Sequence, residues 1–385
     1  MSLKVYDAIV IGAGSVGVPT ALALAEKNLS VLVLDSHASV GQGSNKAAIG
    51  GIRATHSDPA KIHLGMRSIE IFSSWKEKYH DDIEWKQSGY AFVAYRQKEA
   101  ESIKSLVEKQ KTYGLNVKWC TPEEMLEIAP GLKPDGLLGG SFSPGDGSAS
   151  PLLSIHAFFR RAKSLGAEFQ FHQKVEEIIT ENGIAKGVKT NTDTFHAPII
   201  INAAGAHAKA IGELCGMHLP VLPDSHESAI TEPVQPLFDP MIVDIQPTEH
   251  SSNYYFYQHK TGQIVFCITP KPNIWGFDTN ETSSFLPMVS KRILSIMPGL
   301  AKLRVRRTWR GLYPMTPDGF PIVGFSNEIK GIIAACGMCG QGFMLGPGLG
   351  ELVSRMVTEE LTEKDHQVLN LLRPDRNFDE IEELQ

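Results

Sequence analysis

Gly12-Ala-Gly14-Ser15-Val16-Gly17 follows a short apolar run, Tyr6 to Ile11, and opens an Ala/Leu-rich stretch of helical spacing, Ser15 to Lys27. A bound pyrophosphate needs that order of elements. Gly12 permits a tight turn, Gly14 lets backbone approach a phosphate, and Gly17 lets helix and strand pack closely. The N–H groups of the helix start then face the anion. A second β-branched run, Ser30 to Leu34, ends at Asp35-Ser36, where a carboxylate can accept both hydroxyls of a ribose. A lone Gly-x-Gly-x-x-Gly often arises by chance. Here strand, loop, helix, strand and acid stand in register, so the segment reads as a dinucleotide site.

After the acid the chain does not continue into regular strand–helix units, as a simple nicotinamide enzyme would. It enters Gly41-Gln-Gly-Ser44-Asn-Lys-Ala-Ala-Ile-Gly50-Gly51-Ile-Arg53, a run of small residues able to lie against a flat ring. FAD is therefore the expected cofactor. No second Gly-x-Gly-x-x-Gly follows a strand, which disfavours a reductase holding FAD and a nicotinamide together.

Other residue types suggest chemistry less sharply. Arg53 is a candidate cation beside the cofactor, with a surface arginine as the plain alternative. Arg310 lies in Arg306-Arg-Thr-Trp-Arg-Gly-Leu-Tyr313. On a strand Arg306 and Arg310 share one face, and Arg307, Trp309, Gly311 and Tyr313 share the other; either face could meet the site. Tyr255 and Tyr257 share a strand face and could close over a small substrate, although aromatics on a sheet serve equally as core. Cys336-Gly-Met-Cys339 has C-x-x-C spacing but no second cysteine pair or histidine pair, so neither a metal nor a redox dithiol is expected. His56 and His63 read as structural. No Ser/His/Asp set, Walker motif or carboxylate pair stands out.

The elements that hold these residues belong to an ordinary globular chain. With 385 residues, 42% apolar and 21% charged, disorder, collagen and coiled coil are poor fits. A net charge of −6 without basic blocks disfavours nucleic acid and anionic membrane as partners. Five cysteines suit a reducing, cytoplasmic setting. The N-terminus runs at once into a strand, so no signal peptide is expected. The uncharged stretch Gly331 to Gly350 is too glycine-rich for a membrane span.

Periodicity predicts helices over Pro59–Tyr79, Lys98–Tyr113, Leu152–Leu165 and Leu345–Leu361, and a short one behind the capping box Thr121-Pro-Glu-Glu124. Strands are predicted over Glu84–Arg96, Glu168–His172, Val175–Glu181, Gly187–Thr190, Pro198–Ala204 and Lys330–Ala335. Asn182-Gly183 marks a hairpin, and Tyr254–Tyr257 with Ile264–Ile268 marks another. Leu219 to Trp309 reads as mostly alternating strand, and the last twenty residues as polar tail. Strand–helix–strand segments at both ends, with antiparallel strands between, predict an α/β chain whose parallel-sheet unit is interrupted by a β-rich one.

Four segments then carry a resemblance: the opening loop, Asn202-Ala-Ala-Gly205-Ala206, Thr316-Pro-Asp-Gly-Phe-Pro-Ile-Val-Gly324 and Gly337-Met-Cys-Gly-Gln-Gly-Phe-Met-Leu-Gly-Pro347. In this order and spacing they resemble the D-amino-acid-oxidase-type FAD oxidoreductases, over nearly the whole chain. That group includes glycine oxidase, sarcosine oxidase (monomeric and β subunit) and the β subunit of dye-linked L-proline dehydrogenase; Leu372-Arg-Pro-Asp-Arg376 looks like the β-subunit branch. The resemblance implies a Rossmann-like FAD-binding domain (1–83, 146–220 and 314–385) with a discontinuous second domain built on an antiparallel β-sheet (84–145 and 221–313). It implies FAD contacts at Gly12, Gly14, Ser15, Val16, Gly17, Asp35, Ser36, Ser44, Gly50, Gly51, Val175, Ala204, Gly205 and Gly311. Further contacts fall at Gly340, Gln341, Gly342, Phe343 and Met344, where a helix N-terminus would face the negative charge of reduced flavin.

The resemblance also marks departures. Gly311 stands where monomeric sarcosine oxidase attaches its flavin through a cysteine, so non-covalent FAD is expected. Met344 falls near the carboxylate-binding lysine of that enzyme, and Tyr313 at the carboxylate-binding arginine of glycine oxidase. No counterpart of the oxygen-activating lysine occurs in Gln263 to Thr269.

The function expected is oxidation of the C–N bond of an amino acid or N-substituted amino acid (sarcosine-, glycine- or proline-like) by hydride transfer to flavin N5. Arg53, Arg310 and Tyr255 are the candidate catalytic residues. An electron-acceptor protein or a second subunit is the further expected partner. The alternatives are an FAD-dependent dehydrogenase of a 2-hydroxy acid or glycerol 3-phosphate, which would want a histidine base near N5, and an electron-relay subunit of a larger complex.

Overall fold

The computed structural model describes residues 4–379. Ala8–Ile11 and Val31–Leu34 are buried along their whole length, as strands covered on both faces must be. They lie in a six-stranded sheet of order Ile322–Phe325, Ile332–Cys336, Ile199–Asn202, Ala8–Ile11, Val31–Leu34, Glu168–Gln170. Every join is parallel except that of Ile322–Phe325. Helices Gly17–Glu26, Pro151–Ser164 and Gly342–Val357 pack on one face. A three-stranded sheet beginning at Val175–Glu181 packs on the other.

The second sheet has eight strands, in the order Val305–Met315, Leu222–Pro233, Gln263–Pro270, Ser251–Gln258, Met241–Asp244, Tyr90–Ala94, Gly139–Ser143, Lys118–Cys120. It is antiparallel except where Met241–Asp244 runs beside Tyr90–Ala94. One face buries Ala229, Tyr254, Phe256 and Phe266 against helices Pro122–Ile128 and Phe285–Ile296. The opposite face carries Tyr90, Phe92, Tyr257 and Val265 toward Ile49, Ala54 and Ile62 of the first unit. The chain therefore joins a Rossmann-like unit to a largely antiparallel sheet, the α/β architecture expected.

Four local expectations differ from the structure. The region read as mostly alternating strand contains helix Phe285–Ile296, which buries Phe285, Val289, Ile293 and Ile296 at helical spacing. The supposed polar tail contains helix Glu363–Leu372, opened by the capping box Thr362/Asp365 and docked through Val368 and Leu372. Beyond it, Arg376 donates to both carboxylate oxygens of Asp318 at 2.8 and 3.0 Å, which ties this end to the core. Glu84–Arg96 shrinks to Tyr90–Ala94, because Glu84 and Gly89 take left-handed backbone (φ 62° and 80°).

The last helix starts at Gly342, earlier than propensity suggests. Its glycines serve close packing. A β-carbon built on Gly346 would sit 1.9 Å from the Ser15 carbonyl oxygen, and one on Gly350 2.7 Å from the backbone of Pro19 and Thr20. Tertiary contact outweighs glycine's poor helix propensity here.

Candidate active site

A cavity of about 1520 Å³ lies between the two sheets. Gly12 opens it with φ 108°, and a β-carbon there would meet the Ala203 carbonyl oxygen at 2.5 Å. A β-carbon on Gly17 would lie 1.8 Å from the Gly12 carbonyl oxygen, whereas one on Gly14 has nothing within 4 Å. Two glycines thus close the turn, and the third leaves room for a ligand. Asp35 borders the cavity and receives the N–H groups of Ala13 (2.7 Å) and His37 (2.8 Å).

The small-residue loop crosses the cavity floor. Ser44 donates to the Leu312 carbonyl (2.7 Å) and the Trp309 indole donates to that of Ala47 (2.8 Å). Gly311 accepts this approach because it lacks a β-carbon, which would stand 2.5 Å from that of Ala47. At the far side helix Gly342–Val357 begins without a side-chain cap, and the buried Oε1 of Gln341 has no hydrogen-bond partner among the described residues. Gly340 lets the Tyr313 ring press against this turn, 2.1 Å from where a β-carbon would be. Unpaired helix donors and an unsatisfied amide oxygen suit a flavin edge, which presents acceptors and one N–H. The residues fit FAD. Every FAD contact named from the sequence borders this cavity except Gly17, which packs beneath the turn.

The sheet wall opposite carries hydroxyls. Tyr255 and Tyr313 share a hydrogen bond of 2.7 Å, and Tyr257 donates to the Ile49 carbonyl at 2.6 Å. Tyr313 stacks on the His226 ring with centroids 3.7 Å apart. His226, 3% exposed, places Nε2 3.0 Å from Asp224 Oδ2. Asp224 also accepts from Asn273 (2.7 Å) and the Ile274 N–H (2.6 Å).

These environments set the proton affinities. Burial holds both tyrosine hydroxyls well above their ordinary value. Burial disfavours charge on His226, yet the hydrogen bond to Asp224 and the adjoining Cys267 thiol outweigh it and raise the imidazole. Burial opposes ionisation of Cys267, and hydrogen bonding to His226, Ser228 and Tyr255 overcomes that, so the thiol is lowered. Sequence reading missed Asp224, His226 and Cys267. Asp224 and His226 stand two apart on one strand, so they share a face. That signal becomes useful only once the face turned to the cavity is known.

The two candidate arginines part company. Arg53 is 7% exposed, borders the cavity, stacks over the Phe92 ring (5.6 Å) and donates to the Thr55 carbonyl. Nearby Asp146 is pushed up to about 6 by burial, against hydrogen bonds from Ala54 and Thr55 and the charge of Arg53. Arg310 borders the cavity, but its guanidinium donates to the Asn280 carbonyl (2.8 Å) and to Asp278 (3.2 Å). Strand alternation turns it, with Thr308, to the far face of the sheet. The expectation that Arg310 reaches a substrate is corrected by that geometry. Cys336 and Cys339 are both free, and burial pushes the Cys336 thiol up to about 12.

The profile of the family described as "FAD dependent oxidoreductase" matches residues 7–356. Glycine oxidase of Geobacillus kaustophilus (strain HTA426) is 26% identical, over 96% of this chain and 97% of that protein. The sarcosine oxidase subunit beta of Arthrobacter sp is 24% identical, over 93% of this chain and 88% of that protein. The crystal structure of L-proline dehydrogenase from P.horikoshii superposes with a TM-score of 0.90 and 32% identity, over 97% of each chain.

Proposed function

Since the chain belongs to the family of FAD-dependent oxidoreductases, we propose that it oxidises the C–N bond of a small amino acid or N-substituted amino acid, with Arg53 as carboxylate anchor and Tyr255 beside it. The observation that carries the reading is the buried Arg53 bordering the same cavity as the Tyr255–Tyr313 pair and the uncapped helix start at Gly342. Relatives named for glycine, sarcosine and L-proline support the substrate class. The division into two interleaved domains belongs to the same proposal.

Bound FAD supplies a hydride acceptor at N5. The chain supplies positioning and charge. Arg53 offers a guanidinium to a carboxylate that has left water, the pairing that best offsets desolvation. Tyr255 and Tyr313 remain neutral, so they orient a substrate by hydrogen bonding without adding charge. The helix start at Gly342 favours negative charge on the opposite side. Holding the reacting carbon about 3–3.5 Å from its acceptor is then the main catalytic task.

Anaerobic mixing with a panel of amino acids, N-methyl amino acids, proline and hydroxy acids tests the reading. At least one amino acid should bleach the flavin. Bleaching by hydroxy acids alone would refute the proposal.

The proposal includes FAD without a covalent bond at Gly311, which offers no side chain and lies under Ala47. Acid precipitation should therefore leave a colourless pellet and release FAD; a yellow pellet would contradict this. The strand Gln263–Pro270 presents Val265 and Thr269 to the cavity and carries no lysine. Reduced enzyme should accordingly pass electrons to an artificial dye much faster than to oxygen. Peroxide formation matching the dye rate would reject that expectation. A slow reaction with oxygen calls for a protein or second subunit as acceptor, and the relative named as a subunit supports such a partner.

A further inference from the structure

We infer that His226, held by Asp224, takes up the proton that the substrate ammonium must lose before oxidation, by way of the Tyr255 and Tyr313 hydroxyls and the Cys267 thiol. The inference rests on the amino-acid reading above. An amino acid in neutral water carries an ammonium group, and hydride can leave its α-carbon only once nitrogen has a free lone pair. Inside a cavity between two sheets the proton needs an acceptor in the wall.

The wall contains a connected set of such groups. Tyr255 and Tyr313 meet at 2.7 Å on the cavity side. Cys267 is buried beside them, directly across the sheet from Tyr255 on one side and from Ser228, two residues beyond His226, on the other. His226 Nε2 points to Asp224, while its buried Nδ1 makes no well-formed hydrogen bond among the described residues. Asp224 is fixed by Asn273 and Ile274, so the ring is held in one orientation. The titratable groups facing His226 are Asp224 from its own strand, Cys267 from the next strand, Tyr313 on the other side and Tyr255 beyond Cys267. Neighbouring Glu227 accepts from Thr282 and Arg310 donates to Asn280, both on the far face.

Asp146, a buried acid near Arg53, does not border the cavity and accepts from the Ala54 N–H and the Thr55 hydroxyl. In the proposed step an ammonium N–H bond breaks and an N–H bond to His226 forms. Each hydroxyl or thiol between them gives one proton and receives one. No electrons move, and the charge shifts from substrate nitrogen to an imidazolium beside Asp224.

The test uses the FAD-bound protein and the best substrate of the panel, with anaerobic flavin reduction followed against pH. Wild type should reduce well near neutrality. His226→Asn should slow reduction there by about 10²-fold or more and recover as pH rises toward the free amine's own pKa. Asp224→Asn, a variant removed from the substrate, should displace the profile the same way. A second measurement needs no turnover. Binding an α-methyl amino acid, which has no α-hydrogen, should convert the ¹⁵N signal of His226 to imidazolium in wild type. Slowing by an equal factor at all pH values in both variants, or an imidazole signal that stays neutral, overturns the inference while leaving the amino-acid reading intact. A wild-type flavin that no amino acid reduces overturns both.

Discussion

Replacing Arg53 with alanine should raise the apparent substrate constant by tens- to thousands-fold, roughly 2–5 kcal/mol of binding, with FAD content nearly unchanged. The magnitude follows from burial. A carboxylate that has lost its water and then finds no cation pays desolvation without return, and Tyr255 and Tyr313 are held neutral by their surroundings. Arg53→Lys separates charge from geometry. It keeps the positive charge beside Asp146, so folding should survive better. It loses the planar fork, so substrate affinity should still fall. Steady-state kinetics on the best substrate, beside the flavin-to-protein ratio, read the two effects apart. If both variants bind substrate normally, the carboxylate model is wrong, and an uncharged amine or an ester held by other groups becomes the better substrate.

The second large effect is expected at Gly17. A β-carbon there meets the Gly12 carbonyl oxygen at 1.8 Å and the Gly12 carbonyl carbon at 3.0 Å. Both obstacles are backbone, so no side chain can rotate away and the turn itself must move. Gly17→Ala should lower stability by roughly 1–3 kcal/mol or more and yield protein almost free of FAD. Gly14→Ala is the informative contrast. Its β-carbon enters open space, so the chain should fold normally and lose affinity only for the cofactor that needs that space. Thermal melts of apo-protein with FAD titrations distinguish the pair. Equal melting temperatures for the two apo variants would count against this assignment of roles.

The first unit was legible because its signals are local. Gly12 to Asp35 encodes strand, turn, helix and acid within one short stretch, and Pro59–Tyr79 was bounded correctly by its own periodicity. The substrate wall was not legible. Asp224 and His226 lie on one strand, and Tyr255, Cys267 and Tyr313 on three others join them only through register, with Gly311 opposite His226 and Cys267 opposite Ser228. Strand pairing across such distances leaves no trace in local pattern. Arg310 failed for a related reason: alternation named its face-mates without saying which face turns to the cavity. Phe285–Ile296 was hidden among alternating strands, although its apolar spacing is helical.

The order of strands has a consequence for how the molecule comes into being. Ala8–Ile11 pairs with Ile199–Asn202, which in turn waits for Ile332–Cys336. Helix Gly342–Val357, another wall of the cofactor cavity, is made long after the dinucleotide loop. Contacts of such long sequence separation form slowly. Until they do, the apolar first strand and helix stand without cover, the kind of species that draws chaperones or aggregates. The dinucleotide loop therefore gains a complete binding site only after the chain through Val357 has left the ribosome. FAD supplied during synthesis should act late, by mass action on the nearly finished fold, and raise the yield of folded protein without hastening its early steps.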